Sequence, residues 1–573
     1  MKVFSQLKKN LKNNFENLKS VKVALLGDTA TQLLKQALRG TGYDAGLDLQ
    51  IWEADFGQIE RQVFDTASEL YTYQPDIVVI FQSTHKLLGK YNKLQPDQYS
   101  NLAEDQLQLI NNIYSTITAA LTTKVIIYNY PEIDDSVFGN YANKAEQAFL
   151  FQLRKLNYQL MVYATQNPDI YLCDISSIQN QVGKAFMFQP SVYISTEMVI
   201  SIDALPLIAS RTIDIISALY SNFKKCLILD LDNTLWGGII GDDGIENIQI
   251  GSLGIGKAFT EFQYWIKKLK NRGIILAVCS KNTEAVAKEA FEKHPDMVLK
   301  LADIAAFKIN WENKVDNIRQ IQSVLNIGFD AMVFLDDNPF ERNMVKESIP
   351  AITVPELPED PANYLEYLYS LNLFETVSFS QEDATRTQQY QKEALRNTTQ
   401  ALYTNESDYL KSLNMLSAVH GFNKFNTPRV AQLSQRSNQY NLRTIRYTEG
   451  GIEMLINQPD YFSFAFTLED RFGDNGLISF IILKKESPEI LFIDNWVMSC
   501  RVLKRGMEDF ALNTIVMFAK QSGYTWLQGE YLPTAKNQLV KDHYQQLGFA
   551  PDNGYWLLNV NEYNNRLCFI NNK

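Results

Sequence analysis

The chain has 573 residues with 46% hydrophobic and 12% aromatic content, too long for one hydrophobic core and typical of a folded multidomain protein. Its formal charge of −11 excludes a general nucleic-acid binder, so any anionic partner has to meet a local basic patch. No apolar stretch approaches the ~20 residues that span a bilayer, and the five cysteines, Cys173, Cys226, Cys279, Cys500 and Cys568, form no C-x-x-C pair. A cytoplasmic protein with reduced thiols and no membrane partner is expected, not a disulfide framework or a thiolate zinc site.

The opening MKVFSQLKKNLKNNFENLKS alternates Lys and Asn with apolar residues and lacks a continuous apolar core. It predicts an amphipathic helix rather than a signal peptide. Residues 21–26, 50–53, 76–82 and 124–130 then give short apolar runs separated by helix-like spacers, and this alternation predicts a parallel α/β sheet over residues 1–219. Gly27-Asp28-Thr29 resembles the first block of SGNH-type hydrolases, with Gly57 standing for the second. The nucleophile position is Thr29, however, and the block expected to carry an Asn reads Phe81-Gln82-Ser83-Thr84. No Asp-x-x-His follows near Asp203, and His85 is the one histidine of the region. A triad needs a base within reach of its nucleophile, so an SGNH-like, non-catalytic domain is expected.

Residues 224–244, KKCLILDLDNTLWGGIIGDDG, carry Asp230 and Asp232 just past an apolar run, with Thr234 behind them. Such a run predicts a buried strand of a parallel sheet, and residues past its end lie at the carboxyl edge, where open α/β folds place ligands. A second run, GIILAVCS, ends in Ser280, and a third, AMVFLDD, ends in Asp336 and Asp337. Between them WENKVDNI opens a helix containing Lys314. The order Asp-x-Asp-x-Thr, Ser, Lys, Asp-Asp resembles the haloacid-dehalogenase-type (HAD) phosphatases at all four motifs. The strings LDLDNTLWGGIIGDDG, AVCSKN, INWENK and FLDDNPFER are similar to one branch, the FkbH-like glyceryl transferase/phosphatases of polyketide assembly lines (HAD subfamily IIIC). The spacings over 220–352 allow a Gly-rich flap at 236–250 and no cap domain, so the expected fold is a capless Rossmannoid parallel sheet. A capless site admits a bulky substrate or borrows walls from its neighbours.

The four prolines of PAITVPELPEDP at 350–361 mark a boundary. In the expected domain at 353–573, residues 380–411 read as a polar helical linker. Strands follow at 461–468, 477–483 and 490–498, with a hairpin signal at 470–476. After Ser499 and Cys500 come Arg501, Lys504, Arg505 and Gly506, then an apolar-periodic helix at 507–520. Strand, basic turn and helix resemble the acyl-CoA-binding core of GNAT acyltransferases, an α+β fold whose turn and helix start bind the phosphate of CoA or pantetheine. Lys504 replaces a familiar glycine, which favours a phosphopantetheine arm over free CoA. Asn537 and Tyr544 fit that fold's closing helix, and MSCRV with AQLSQRSNQYNLRT is similar to the C-terminal part of FkbH-like proteins.

The resemblance implies roles. Asp230 would attack phosphorus and Asp232 would act as general acid and base. Asp230, the Asp232 main chain, and Asp336 or Asp337 would hold Mg²⁺. Thr234, Ser280 and Lys314 would bind phosphate, with Lys308 an alternative to Lys314. A three-carbon phosphoglyceryl unit from 1,3-bisphosphoglycerate would be dephosphorylated and passed to the phosphopantetheine thiol of an acyl carrier protein, resting on Cys500 or Cys279. The alternatives are a Mg²⁺ phosphatase for another sugar or acyl phosphate with separate acyl transfer, and a non-catalytic scaffold, against which the intact motif set argues. Replacing Asp230 by Asn keeps the shape and removes the attacking charge. Folded Asp230→Asn protein is therefore expected to release no phosphate above background, and wild-type turnover by it would remove Asp230 from this role.

Overall fold

Short apolar runs buried on both faces become central strands of a parallel sheet, and the computed structural model places them so. It describes every residue except 1, 14, 17, 380–385, 401, 402, 500, 501 and 535, without the side chains of 394, 395, 397, 398 and 400. The chain forms two compact units, Met1–Ala218 and Leu219–Lys573. Among the described residues no helix is long and apolar enough to cross a membrane.

In the first unit the amphipathic helix α1 (Phe4–Asn10) precedes β1 (Lys19–Gly27), β2 (Leu47–Glu53), β3 (Ile77–Phe81), β4 (Lys124–Tyr128) and β5 (Ile170–Cys173). All pair in parallel in the order β2-β1-β3-β4-β5. The fully buried IVVIF of β3 is the central strand, whereas β5, IYLC, leaves its two middle residues half-buried and gives no apolar run long enough to read.

The second unit starts with β6 (Cys226–Leu229), β7 (Ile275–Ser280), β8 (Ile304–Ile309) and β9 (Met332–Leu335), parallel in the order β8-β7-β6-β9. Period-two alternation sorts their side chains between two cores. Leu227, Leu229, Leu276 and Val278 pack with helix α2 (Gly254–Asn271), while Cys226, Ile228, Ala277 and Cys279 pack with α3 (Lys314–Leu325). Helix α4 (Pro339–Ser348) follows β9. The prolines beyond it stop regular structure but not packing. The Phe334 N–H donates to the Thr353 carbonyl at 2.9 Å, and Tyr364 and Leu368 of α5 (Tyr364–Leu371) join Phe374 in the α2 core. The boundary expected after residue 352 therefore moves past Phe374.

The remainder is α+β. A mixed sheet contains β10 (Met415–Ser417), β11 (Val419–His420), β12 (Tyr461–Asp470), β13 (Gly473–Lys485), β14 (Ile490–Met498), β15 (Trp526–Gly529), β16 (Ala550–Asp552), β17 (Tyr555–Asn559) and β18 (Ile570–Asn572). Its order is β16-β17-β15-β14-β13-β12-β10-β18, with β11 on β12. Helices α6 (Arg386–Gln400) and α7 (Thr427–Arg436) precede the long strands, and α8 (Met507–Gln521) crosses from β14 to its parallel partner β15. That pairing ends at Ile493 and Gly529. Past it, residues 440–442 serve the edge of β14: Leu442 N–H donates to the Trp496 carbonyl, and Met498 N–H to the Tyr440 carbonyl.

The expected linker is a packed strap. Tyr390 of α6 enters the α3 core and Gln391 donates to the Ile304 carbonyl of edge strand β8 at 2.9 Å. Five residues on, buried Arg396 donates to both oxygens of Asp470, at 2.8 and 2.9 Å. Removing one partner of a buried ion pair costs about 3 kcal/mol or more. Arg396→Met is thus expected to destabilise the C-terminal sheet by about that much, read as a fall in denaturant midpoint, with Asp470→Asn on top costing less than it does alone.

Candidate active site

Two strand ends meet at the carboxyl edge of the β6–β9 sheet. Asp230 follows β6 and its N–H donates to the Leu335 carbonyl at 3.0 Å, so it stands level with Asp336, the first residue past β9. Carboxylate oxygens of Asp230, Asp336 and Asp337 lie within 4.8 Å of one another. Lys314, the first residue of α3, reaches in from the next strand connection, with Nζ 3.0 Å from Asp230 Oδ2 and 2.5 Å from Asp336 Oδ2. Lys308 sits in β8 opposite Cys279, and among the described residues it forms no ion pair with these carboxylates. Of the two candidate lysines, Lys314 is the one brought to the site.

The electrostatics favour a cation. Burial opposes the Lys314 charge, but Asp230 and Asp336 more than offset it and raise its pKa. Burial, then the Asp230 charge, raises the carboxyls of Asp336 and Asp337, with Lys314 opposing. Three carboxylates against one ammonium leave a negative excess, and buried Asp230 Oδ1 has no hydrogen-bond partner. An all-oxygen set with an orphaned oxygen fits a hard divalent ion. The main chain is fixed to match: Asn338 N–H donates to Asp336 Oδ1 at 2.9 Å, and buried Arg342 donates to the carbonyls of Asp336 and Asp337.

Asp232 stands apart from this cluster. Its Oδ1 accepts from Trp236 Nε1 at 2.9 Å and Ile240 N–H at 3.1 Å, and its Oδ2 from Asn282 Nδ2 at 3.0 Å. Burial raises its pKa, as an acid and base requires. Asn233, just after Asp232, adopts φ 53° and accepts the Gly238 N–H, tying the motif to the flap. The flap closes on itself through paired bonds between Gly237 and Gln249. Ser280 ends β7 and is buried. Thr234 is corrected: it is fully buried and its hydroxyl accepts the Asp337 N–H at 3.2 Å, so it positions the carboxylate loop rather than phosphate. Sequence reading missed Trp236, Asn282 and the main-chain role of Arg342. Asn282 was within reach, two residues past Ser280 in AVCSKN.

The family model described as FkbH, N-terminal domain, matches residues 22–217. A crystal structure of the N-terminal part of the protein BF1531 from Bacteroides fragilis, containing a phosphatase domain complexed with Mg, is 57% identical. It covers 66% of this chain and 100% of its own, at a TM-score of 0.64. The chain belongs to the FkbH-like phosphatases. No curated protein matches it. The ribosomal-protein-S18-alanine N-acetyltransferase from Escherichia coli (15% identity, 26% of this chain and 99% of its own) and the GNAT domain of S. lividans PAT (15%, 24% and 87%) both align at a TM-score of 0.20, too low to assign a fold.

Other expected residues of this FkbH-like phosphatase fare unevenly. Cys279 lies in the apolar α3 core, with Sγ 3.8 Å from the Lys314 carbonyl, and burial pushes its thiol up, so it is no nucleophile. Cys500 and Arg501 lie outside the described residues. Lys504 and Gly506 form a left-handed turn, φ 61° and 78°, before α8. Arg505 is corrected from a pantetheine ligand to a structural residue: it is buried against Asp470, at 3.2 Å, and Glu393. Glu508 and Asp509 stand in the first turn of α8, where Asp509 pairs with Arg566.

In the N-terminal unit, Thr29 is fully buried and its hydroxyl has no hydrogen-bond partner. His85 Nδ1 also lacks one, its ring packs against Phe188 and Tyr193, and burial lowers its pKa to about 4. Among the described residues no base is hydrogen-bonded to the Thr29 hydroxyl. Thr29→Ala is expected to leave phosphate release unchanged, and no Thr29-dependent hydrolysis of simple esters should appear in the wild type. A second expectation comes from Asp337, whose raised pKa means that its charge destabilises the metal-free fold at neutral pH. In EDTA, Asp337→Asn should therefore melt higher than the wild type, and it should gain less on adding a divalent cation, read by thermal unfolding.

Proposed function

We propose that this FkbH-like phosphatase is a Mg²⁺-dependent enzyme that takes a phosphoglyceryl unit from 1,3-bisphosphoglycerate, removes its phosphate, and passes the glyceryl group to the phosphopantetheine thiol of an acyl carrier protein. The observation that carries the phosphatase reading is Lys314 bridging Asp230 and Asp336 beside Asp337. Bound Mg²⁺, held by Asp230, Asp336, Asp337 and the Asp232 main chain, would neutralise charge on the phosphoryl oxygens. The Bacteroides relative was crystallised with that ion.

Each protein group then has a defined task. An Asp230 oxygen attacks phosphorus, and the bond to the leaving oxygen breaks as an aspartyl-phosphate forms. Asp232 gives its proton to that leaving oxygen and later takes one from the water that hydrolyses the intermediate. Lys314 and the Ser280 hydroxyl hold the phosphoryl oxygens as they move from substrate to Asp230.

The glyceryl reading is supported by the four motif strings and by the lack of a cap. Exposed Ile239, Trp311 and Phe340, 47%, 74% and 69% accessible, stand on the flap and just past β8 and β9, a rim suited to a substrate presented by a larger carrier. With Cys279 sealed in the core, Cys500 is the thiol proposed to bear the acyl unit: its sulfur attacks the carboxyl carbon of the mixed anhydride, the bond to the 1-phosphate breaks and that phosphate leaves, and the thioester then exchanges with the carrier's thiol. The reaction would take place in the cytoplasm. A Mg²⁺ phosphatase for another sugar or acyl phosphate is the second reading, and the same open rim accommodates it.

Intact masses after incubation with 1,3-bisphosphoglycerate, Mg²⁺ and holo-carrier protein test the assignment. A glyceryl adduct on the carrier is expected, with a hydroxylamine-labile adduct on the enzyme when the carrier is left out. Cys500→Ala should lose the enzyme adduct and still release phosphate. Lys314→Met should cut phosphate release by about 10²–10³-fold. Phosphate release with no carrier adduct would leave the phosphatase and remove the transferase.

A further inference from the structure

A cavity of ≈590 Å³ lies within the second unit, far from the carboxylates. Its floor is the amino edge of the parallel sheet, where Lys225 precedes β6, Ile275 begins β7 and Ala331 precedes β9. Its far wall is the end of β14, at Met498 and Ser499, with Tyr440 beside it, and its sides are α6 and α7. Lys225 and Asp230 stand at opposite ends of one extended strand, roughly 16 Å apart at ~3.3 Å per residue. A small molecule in this cavity does not reach the phosphatase centre.

The lining has a definite chemistry. Lys225, Arg386, Arg429, Arg436 and Lys536 line it, with Asp330 the carboxylate among the described lining residues. Bonds to carbonyls fix where several of these cations stand: Lys225 donates to Arg436 at 3.0 Å, Arg386 to Gly273 at 3.1 Å and Arg436 to Ser378 at 2.8 Å. Lys536 pairs with Asp330 at 2.6 Å on the more exposed rim. Aromatic rings of Phe223, Tyr390 and Tyr440 supply flat apolar surface, and the Lys225 ammonium and Arg436 guanidinium lie 5.3 and 5.6 Å from the Phe223 centroid. Ser221, held at φ 63° and 2% exposed, also lines the cavity, and its hydroxyl has no hydrogen-bond partner.

The volume is that of a site for a small organic molecule. Guanidinium groups match the planar spread of phosphate oxygens, and ammonium groups add point charge. We propose that this cavity binds an organic phosphate, a phosphate ester on an extended body, at a site separate from the phosphatase centre. The phosphate lies among the basic side chains and the body along the aromatic rings. Two sources share this chemistry, a free nucleotide and a phosphopantetheine arm, and the proposal does not depend on the glyceryl reaction.

Calorimetric titration of the full-length protein with AMP, adenosine, 4′-phosphopantetheine and pantetheine tests it. One phosphate ester is expected to bind, with its dephosphorylated counterpart about tenfold weaker or more. AMP binding identifies a nucleotide site, and 4′-phosphopantetheine binding identifies a site for the arm. Arg436→Gln and Lys536→Gln should each weaken binding several-fold while hydrolysis of p-nitrophenyl phosphate stays at the wild-type rate. Lys536, on the rim with its side chain 46% accessible, carries the test if Arg436→Gln melts early. The proposal is overturned if neither ester binds, if removing the phosphate changes nothing, or if Lys536→Gln leaves affinity intact. Binding lost in Asp230→Asn but kept in Lys536→Gln would place the ligand in the phosphatase centre and overturn it equally.

Discussion

A lysine buried to 3% exposure between two carboxylates is the constraint on which the catalytic unit is built. Alone, that ammonium would be too costly to bury, and alone the carboxylates would repel one another. Together they fix the start of α3 against the ends of β6 and β9, and so set three separate stretches of sequence in one register. The remaining negative excess makes the centre incomplete without a cation. Stability and function are thus coupled through one set of charges.

The carboxylates were legible because each follows an apolar run, and strand ends in a parallel sheet converge on one edge. Lys314 was legible as the start of a helix and preferred to Lys308 on that ground, and the place of Lys308 in β8 separates the two. Strand β8 hides because Lys308 interrupts its apolar pattern, and β5 hides because two of its four residues are only half-buried. Thr234 was misassigned because a motif gives spacing and not which way a hydroxyl turns. Arg505 was misassigned for a different reason. Its acidic partners are 35 and 112 residues away in sequence, so a basic turn looked available when it was already neutralised.

The C-terminal sheet makes the same point about backbone. A parallel pair that stops at Ile493 and Gly529 leaves β14 with unpaired groups, and buried polar backbone has to find partners. Residues 440–442 supply them, with Leu532 N–H donating in turn to the Leu442 carbonyl at 2.9 Å. Nothing in the local sequence of 440–442 reads as a strand, because the segment is defined by the gap it fills. The same segment carries Tyr440 to the wall of the basic cavity.

The short flap at 236–250 also decides the fate of the phosphoryl group. With no inserted domain between Thr234 and Ser280 or between Ser280 and Lys314, nothing built into the catalytic sheet shuts bulk solvent out once the leaving group departs. In the proposed reaction solvent would then outcompete any dilute alcohol for the aspartyl-phosphate, which favours hydrolysis over transfer to another sugar or acid. An acyl thioester held at the same mouth would face the same competitor. For the proposed two-step reaction the architecture therefore favours keeping the two labile bonds apart, one discharged at the wet edge of the parallel sheet and the other sheltered elsewhere in the chain.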